Sequence, residues 1–410
     1  MYTIKLKEGK EKQALFHHPW VFSGAIKSIN PPYKEAGLAS VCSSDGAFVA
    51  YGYYDEKSHI ILHLLSWQKD IIPDDEFVYR KAVEAVERRK DFFSDSSSTN
   101  AFRLIHGEAD FLPGVAADWY NGYIKIIYSS RFAYSKLPVI AEALAKTLKV
   151  KLIAANADRE YASSEALDMK TRYFIDGLEA KIKEDELDDV RINENGIIYS
   201  VSLRQGQKSG FYCDQRDNRM IAELYAGGRH VLDVCSYTGS FTLHALRAGA
   251  ESVKAIDSSQ SVLRHLLYQV NINEEEKTIP EGSREKVEIL SGDCFEALRK
   301  EKDDYYDLII LDPPKLAKTK GALEKAERAY KDINRVAMNK IRNNGILISF
   351  SCSASLTREE LRKVLSWASK DAHAEIQIIR NLFQAEDHPV RLSFPESEYL
   401  KGFVMKVIKA

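Results

Sequence analysis

From residue 191 onward the sequence alternates short apolar runs with amphipathic stretches, and no other feature narrows the accessible folds so far. The apolar runs are HVLDVC (230–235), VKAID (253–257), VEILSGD (287–293), YDLIILD (306–312) and GILISFSC (345–352). Between them, Val262, Leu263, Leu266, Leu267 and Val270 recur at helical spacing, as a helix face laid on a sheet requires. Thr357 and Glu360 stand three apart, the spacing of a capping box. Strands alternating with helices predict a parallel, doubly wound α/β sheet, a Rossmann-like domain. AEIQIIRNL (374–382) and LKGFVMKVIK (400–409) add two further strands.

A chain of 410 residues is too long for this domain alone, so further domains must precede it. Residues 1–72 carry the strand-like runs VFSGAI, LASVCSS, AFVAYGYY and HIILHLLS, the pattern of a small β-barrel. Residues 73–190 read as a small α+β unit, with a helix over 76–93, a hairpin turning at Asn121-Gly122 and a helix near 135–148. Residues 191–410 form the third domain. Lys and Arg number 58 against 60 Asp and Glu, a net charge of −2, so a nucleic-acid partner would have to be held by a local patch. No stretch reaches the roughly 20 apolar residues of a membrane-spanning helix, and the start, MYTIKLKEGKEKQALF, lacks the apolar core of a signal peptide. Five cysteines (42, 213, 235, 294 and 352), with no C-x-x-C pair, argue against a disulfide framework or a cysteine-rich zinc site. A reducing cytoplasm, away from any membrane, is the expected location.

In a doubly wound sheet, ligands bind where strands end and helices begin. Ser236-Tyr237-Thr238-Gly239 follows the first strand as a tight turn, with Gly239 expected to let a ligand approach the backbone. The segment lacks the further glycines of a dinucleotide fingerprint and the lysine of a phosphate-binding loop. Asp257 ends the second strand, where it can accept from both hydroxyls of a ribose. Asp293-Cys294 ends the third, placed to bracket an adenine edge. An aspartate in such a place also commonly caps the next helix. Together these residues suit a nucleoside cofactor without a phosphate cradle, and S-adenosylmethionine fits better than NAD or ATP.

The fourth strand ends Asp312-Pro313-Pro314-Lys315, and two prolines fix an extended turn that points Asp312 into the pocket. An amino-group methyltransferase would usually place an aromatic where Lys315 stands. The fifth ends Ser351-Cys352-Ser353. A thiol there suits attack on C6 of a pyrimidine, which makes C5 nucleophilic towards a methylsulfonium.

The run from Gly206 through Gln207, Lys208, Ser209, Gly210, Phe211, Tyr212, Cys213, Asp214, Gln215, Arg216, Asp217 and Asn218 to Arg219 resembles the ribosomal RNA large subunit cytosine-5 methyltransferase I family. So do SYTGSF (236–241), DPPK (312–315) and SCS (351–353). HPWVFSGA (18–25) is similar to that family's N-terminal PUA barrel, an RNA-binding module, and LIHGEADFLPG (104–114) to its central domain. The resemblance implies an S-adenosylmethionine-dependent RNA methyltransferase acting on ribosomal RNA. It implies Phe211 and Asp214 as cofactor contacts beside Ser236, Tyr237, Thr238, Gly239, Asp257, Asp293 and Cys294. Cys352 is then the nucleophile. Asp312 is the acid at cytosine N3, and it counts among the cofactor contacts too. This chain departs from the family pattern at His63, where an arginine is common, and at Glu165-Ala166-Leu167, where Gly-Leu is common. The base that removes the C5 proton stays open among Cys235, Cys294 and water. A ribosomal RNA guanine methyltransferase without covalent chemistry and a non-enzymatic RNA-binding assembly factor remain as alternatives, as does a homodimer.

Overall fold

The structure, a computed structural model, describes residues 1–94, 97–182, 187–204, 210–316, 321 and 323–409. The chain forms two compact units. One holds the described residues of 1–193, 200–213 and 387–397; the other holds those of 194–199, 214–386 and 398–410.

The first unit opens with strands β1 (Tyr2–Leu6), β2 (Trp20–Val21), β3 (Ile26–Asn30), β4 (Gly37–Cys42), β5 (Phe48–Tyr54) and β6 (Leu62–Ser66), with a short helix α1 (Lys12–Leu15) after β1. They form one sheet in the order β2-β6-β5-β4-β1-β3, and Ile4, Leu6, Val41, Ala50 and Leu62 are buried in its core. The run VFSGAI is not one strand. Val21 pairs with Leu62, a 3-10 turn then occupies Ser23–Ala25, and β3 starts only at Ile26.

A second sheet has its own core. Helix α2 (Asp75–Glu87) begins where the Asp74 carboxylate accepts from the Phe77 N–H, and it buries Phe77, Val78, Ala82, Ala85 and Val86. It stops short of the expected residue 93, and Lys90–Phe93 form a 3-10 turn instead. The cause lies just past Glu87: the buried Arg89 turns in to Asp110 at 2.7 Å, and Phe92 and Phe93 pack on Phe102 with centroids 5.2 and 4.9 Å apart. Strands β7 (Ala101–His106), β8 (Val115–Tyr120) and β9 (Tyr123–Tyr128) come next, then α3 (Arg131–Thr147), β10 (Leu152–Ala157), β11 (Arg172–Ile175) and β12 (Leu178–Ala180). Asn121 (φ 50°) and Gly122 (φ 93°) turn β8 into β9 through left-handed backbone, the reason this pair favours hairpins. Helix α3 begins earlier than expected because Ser130 caps it by accepting from Ala133 N–H.

The two positions that depart from the family pattern lie inside this unit. Glu165 is buried and accepts from Ser58 Oγ (2.8 Å) and the His59 N–H (3.1 Å). His63 lies 3.7 Å from Glu108, and burial lowers its pKa to about 4, so the ring is neutral. The hairpin β13 (Val190–Glu194) and β14 (Ile197–Val201) follows, with its tip counted in the other unit and its end back in this one.

The second unit is the doubly wound domain. Helix α4 (Arg216–Glu223) leads to β15 (His230–Val234), α5 (Ser240–Arg247), β16 (Ser252–Asp257), α6 (Gln260–Glu275), β17 (Val287–Ser291), α7 (Cys294–Lys300), β18 (Tyr306–Leu311), α8 (Leu323–Lys340), β19 (Ile341–Ser351), α9 (Arg358–Asp371), β20 (Ala374–Phe383) and β21 (Lys401–Lys409). Among the described residues the sheet runs β17-β16-β15-β18-β19-β21-β20, with β21 antiparallel to both β19 and β20. The strands read as continuous apolar runs because both faces are covered. Leu232, Val234, Ile309, Leu311 and Leu347 are all fully buried. Leu263, Leu266 and Val270 of α6 lie in the core too, each worth about 1.5–3 kcal/mol by burial. Thr357 and Glu360 form the capping box at the start of α9. From β15 the chain winds out through β16 to β17, then returns to place β18 on the other side of β15. That reversal opens a crevice at the carboxyl ends of β15 and β18.

Candidate active site

The loop after β15 is built from unusual backbone. Cys235 (φ 62°), Tyr237 (φ 49°) and Gly239 (φ 81°) are all left-handed, which costs about 1–3 kcal/mol at each non-glycine position. What holds it is a set of inward hydrogen bonds. Ser236 N–H donates to Ile256 O at 3.0 Å, Gly239 N–H to Ser236 O at 2.9 Å, and Tyr237 N–H to Asp257 Oδ2 at 3.0 Å. The buried Gln269 donates to Thr238 O at 2.6 Å. Gly239 is required from behind as well as by its φ: a Cβ there would fall 2.3 Å from Leu266 Cγ. The side on which a Cβ would sit is therefore filled by α6, so the glycine is required for helix packing as well.

Asp257 is half-buried and its second oxygen accepts from Ser259 N–H at 3.0 Å, leaving each oxygen a further lone pair for a ligand. Asp293 is exposed and caps α7, its Oδ1 accepting from Phe295 and Glu296 N–H, both at 3.0 Å. Cys294 is buried against Cys235. Their mutual hydrogen bond together with burial raises Cys235 far above the ordinary thiol range, so Cys235 keeps its proton.

On the other side of the crevice, Asp312 follows β18 and its Oδ2 accepts from Gln215 Nε2 at 3.0 Å. Burial, then the nearby Asp214, pushes its pKa up to about 7. The adjoining strand, β19, delivers Cys352, whose Sγ lies 4.0 Å from Pro313 O. The flanking serines are fully buried; Ser351 Oγ accepts from Ser353 N–H at 3.3 Å and braces the turn.

The stretch DQRDNR (214–219) ties these parts together. Asp214 accepts from Tyr399 OH at 2.6 Å. Gln215 holds Asp312 while accepting from Asn218 Nδ2 at 2.6 Å. Arg219 forms a buried two-pronged pair with Glu194 at 2.7 and 2.8 Å and reaches Ser240 at the head of α5. Beneath the loop, Asp233 is fully buried and accepts from Thr242 Oγ1 at 2.7 Å; burial, with the charge of Asp257, raises its pKa to about 7. An acid inside the apolar run HVLDVC was the only sequence signal for Asp233.

The donor set fits S-adenosylmethionine. The loop 235–239 carries no lysine or arginine for a phosphate, and acidic acceptors stand at the ends of β16 and β17. Ser236 Oγ is buried with no protein partner among the described residues. The S-adenosylmethionine-dependent methyltransferase family matches residues 102–362. This chain belongs to that family. A PUA-like domain matches residues 4–67 of the methyltransferase. Over 405 residues, 98% of each chain, it is 34% identical to ribosomal RNA large subunit methyltransferase I of Yersinia pestis bv. Antiqua (strain Angola). The same figures hold for that of Yersinia pseudotuberculosis serotype O:3 (strain YPIII). A solved SAM-dependent methyltransferase from Streptococcus mutans shares the fold at a TM-score of 0.80 and 20% identity, over 99% of this chain and 100% of that one. A second solved methyltransferase, complexed with SAH, matches at the same TM-score, identity and coverage.

S-adenosylmethionine is thus the cofactor of this methyltransferase, on an α/β fold preceded by a PUA-like domain. Its second unit brings together Asp214, Ser236, Tyr237, Thr238, Gly239, Asp257, Asp293, Cys294, Asp312 and Cys352 at one end of one sheet. Phe211 counts with the first unit, where it is buried and its carbonyl accepts from Tyr120 OH at 3.3 Å. Gly206, Gln207, Lys208 and Ser209 lie outside the described residues. No described helix is long and apolar enough to cross a membrane.

Proposed function

We propose that this methyltransferase modifies RNA of the large ribosomal subunit, transferring a methyl group to C5 of a cytosine through a covalent bond between Cys352 and C6. The observation that supports this most is the meeting of thiol and acid across two adjoining strand ends, with Cys352 Sγ 4.0 Å from the carbonyl that follows Asp312. The names of the Yersinia relatives support the substrate class.

Cys352, as thiolate, adds to C6 while Asp312 donates a hydrogen bond and proton to N3. A carboxyl with a pKa of about 7 is still partly protonated near neutrality, as that role needs. S-adenosylmethionine supplies the methyl group that C5 takes. Loss of the C5 proton to solvent then re-forms the ring double bond and expels Cys352 as thiolate, while N3 returns its proton to the Asp312 carboxylate. On the cofactor side, Asp257 would hold the ribose hydroxyls, Asp293 and Cys294 the adenine edge, and Ser236 through Gly239 the methionine end, with Asp214 as a flanking contact.

We further propose a division of labour among residues 1–72, 73–190 and 191–410, which the separate hydrophobic cores support. On the first, Phe16 and Phe22 are 80% and 46% exposed beside Lys10 and Lys12, a surface on which unpaired bases can stack. Several thiols, one of them a nucleophile, suit a reducing cytoplasm. The test is RNA containing 5-fluorocytosine. The expected result is a covalent protein–RNA species that Cys352→Ala abolishes, and 5-methylcytidine by mass spectrometry on ordinary RNA. A methylguanosine product, formed undiminished by Cys352→Ala, would overturn the assignment.

A further inference from the structure

Lys401 opens β21 directly opposite Ser351 of β19 and is only 3% exposed. Its ammonium donates to Ser353 O at 2.9 Å and to Leu356 O at 2.7 Å. Those carbonyls belong to the turn that immediately follows Cys352, which Leu356 N–H closes onto Ser353 O at 3.1 Å. A buried ammonium is costly unless it is hydrogen-bonded or faces a counter-charge. Here two carbonyls supply the hydrogen bonds, and a surface lysine on β21 would have avoided the cost altogether.

We propose that Lys401 is a positioning residue for Cys352: it fixes the turn 353–356 behind the thiol and supplies the positive potential that favours the thiolate. The inference rests on the reading of Cys352 as nucleophile. It answers a difficulty in that reading, because a thiolate at this rim lies against the Pro313 carbonyl that follows β18 and faces the Tyr330 hydroxyl from α8. Neither of these favours an anion as a cation would. Lys401 in turn is faced by Glu398, Arg358 and Glu360 as well as Cys352. Burial lowers its pKa to about 8, with Glu398 opposing the shift, so the ammonium persists at neutral pH.

The experiment is the pH dependence of Cys352 alkylation by iodoacetamide, followed by peptide mass spectrometry on the full chain without RNA. Lys401→Gln keeps a hydrogen-bond donor but removes the charge; Lys401→Arg keeps the charge. The Gln variant is expected to alkylate at least tenfold more slowly at pH 7, with the midpoint of its profile about one unit higher, and the Arg variant to stay within threefold of the parent. A folded Gln variant, shown by retained S-adenosylhomocysteine binding, with an unchanged profile would overturn the proposal and leave Lys401 a brace. The unsubstituted chain offers a second measurement: at pH 7 Cys352 should react at least tenfold faster than Cys42, which is equally half-buried, and equal rates would also overturn it. Because alkylation needs no methyl transfer, this outcome is separable from the adduct test of Cys352 itself.

Discussion

The two halves of the crevice are built differently. At the β15–β16 end, Asp257 spends both carboxylate oxygens on backbone N–H groups and Asp293 caps a helix, so polar side chains are held by main chain nearby in sequence. At the β18–β19 end, Asp312 is held by Gln215, 97 residues away, and the turn after Cys352 by Lys401, 45 to 48 residues away. Titration sets the two ends apart in a similar way, since Asp233 on the cofactor side, also raised to about 7, lies fully buried beneath the loop. Asp312 and Lys401 have pKa values near 7 and 8, within reach of neutrality. The cofactor half is made to hold a shape, whereas the chemical half is made to sit close to a change of charge.

The sharpest way to break this contrast is Cys352→Ala. Turnover and the 5-fluorocytosine adduct should fall by more than roughly 10³-fold while cofactor affinity by calorimetry stays within twofold. A comparable loss of cofactor affinity would mean that the two halves are not separable.

Asp312→Asn comes next, with an expected loss of about 10²–10⁴ in turnover rate, the range for a general acid. Its pH profile carries the sign. The acid form donates, and it is lost as pH rises through about 7, so the parent's rate should fall above that pH unless thiolate formation offsets it. Stability should move the same way, because a carboxyl whose folded pKa is raised binds its proton more tightly when folded, a gain present at pH 4 and lost by pH 7. Thermal unfolding of the Asn variant should therefore lose part of the parent's destabilisation between about pH 4 and 7. An unchanged slope would assign that dependence to Asp233, the other carboxyl raised to about 7.

The same contrast explains which features a reader of the sequence can find. Strands buried on both faces announce themselves as apolar runs, so the sheet was legible from 230–235 through 400–409, and the Thr357 capping box and the Asn121-Gly122 turn arise from short-range rules. Strand-end acids were legible as positions, because the topology fixes where strands end. Their partners were not. Lys401 reads as an ordinary strand lysine in LKGFVMKVIK until β21 is seen to lie against β19. Gln215 stood in a recognised stretch with no sign of which residue it would hold. Gly239 was readable as a glycine that must be one, though not that its left-handed backbone and the α6 side chain of Leu266, 27 positions on, both require it.

Asp257→Ala should weaken S-adenosylmethionine binding by about 1–3 kcal/mol in calorimetry, the worth of hydrogen bonds to a charged acceptor. Since Tyr237 N–H also loses its acceptor, part of that loss should come from the loop. Asp257→Asn, which keeps an acceptor for Tyr237 N–H, should recover part of the affinity. No recovery would leave the ribose as the whole of the effect.

The smallest expected effect separates two roles at one residue. Asp293 caps α7 and is also proposed to meet the adenine edge, and an alanine there would confound the two by costing about 1 kcal/mol of stability through the lost cap. Asp293→Ser removes the carboxylate but keeps an oxygen that serves the cap about as well, so the unfolding midpoint should barely move. Cofactor affinity should still fall by about two- to fivefold, as expected for losing one exposed, solvent-screened contact to an acceptor of negative charge. If affinity instead stays at the parent's value, Asp293 is a helix cap alone. Recognition on the cofactor side would then rest on Asp257 and the left-handed loop, which would make that half of the crevice still more a matter of main-chain shape.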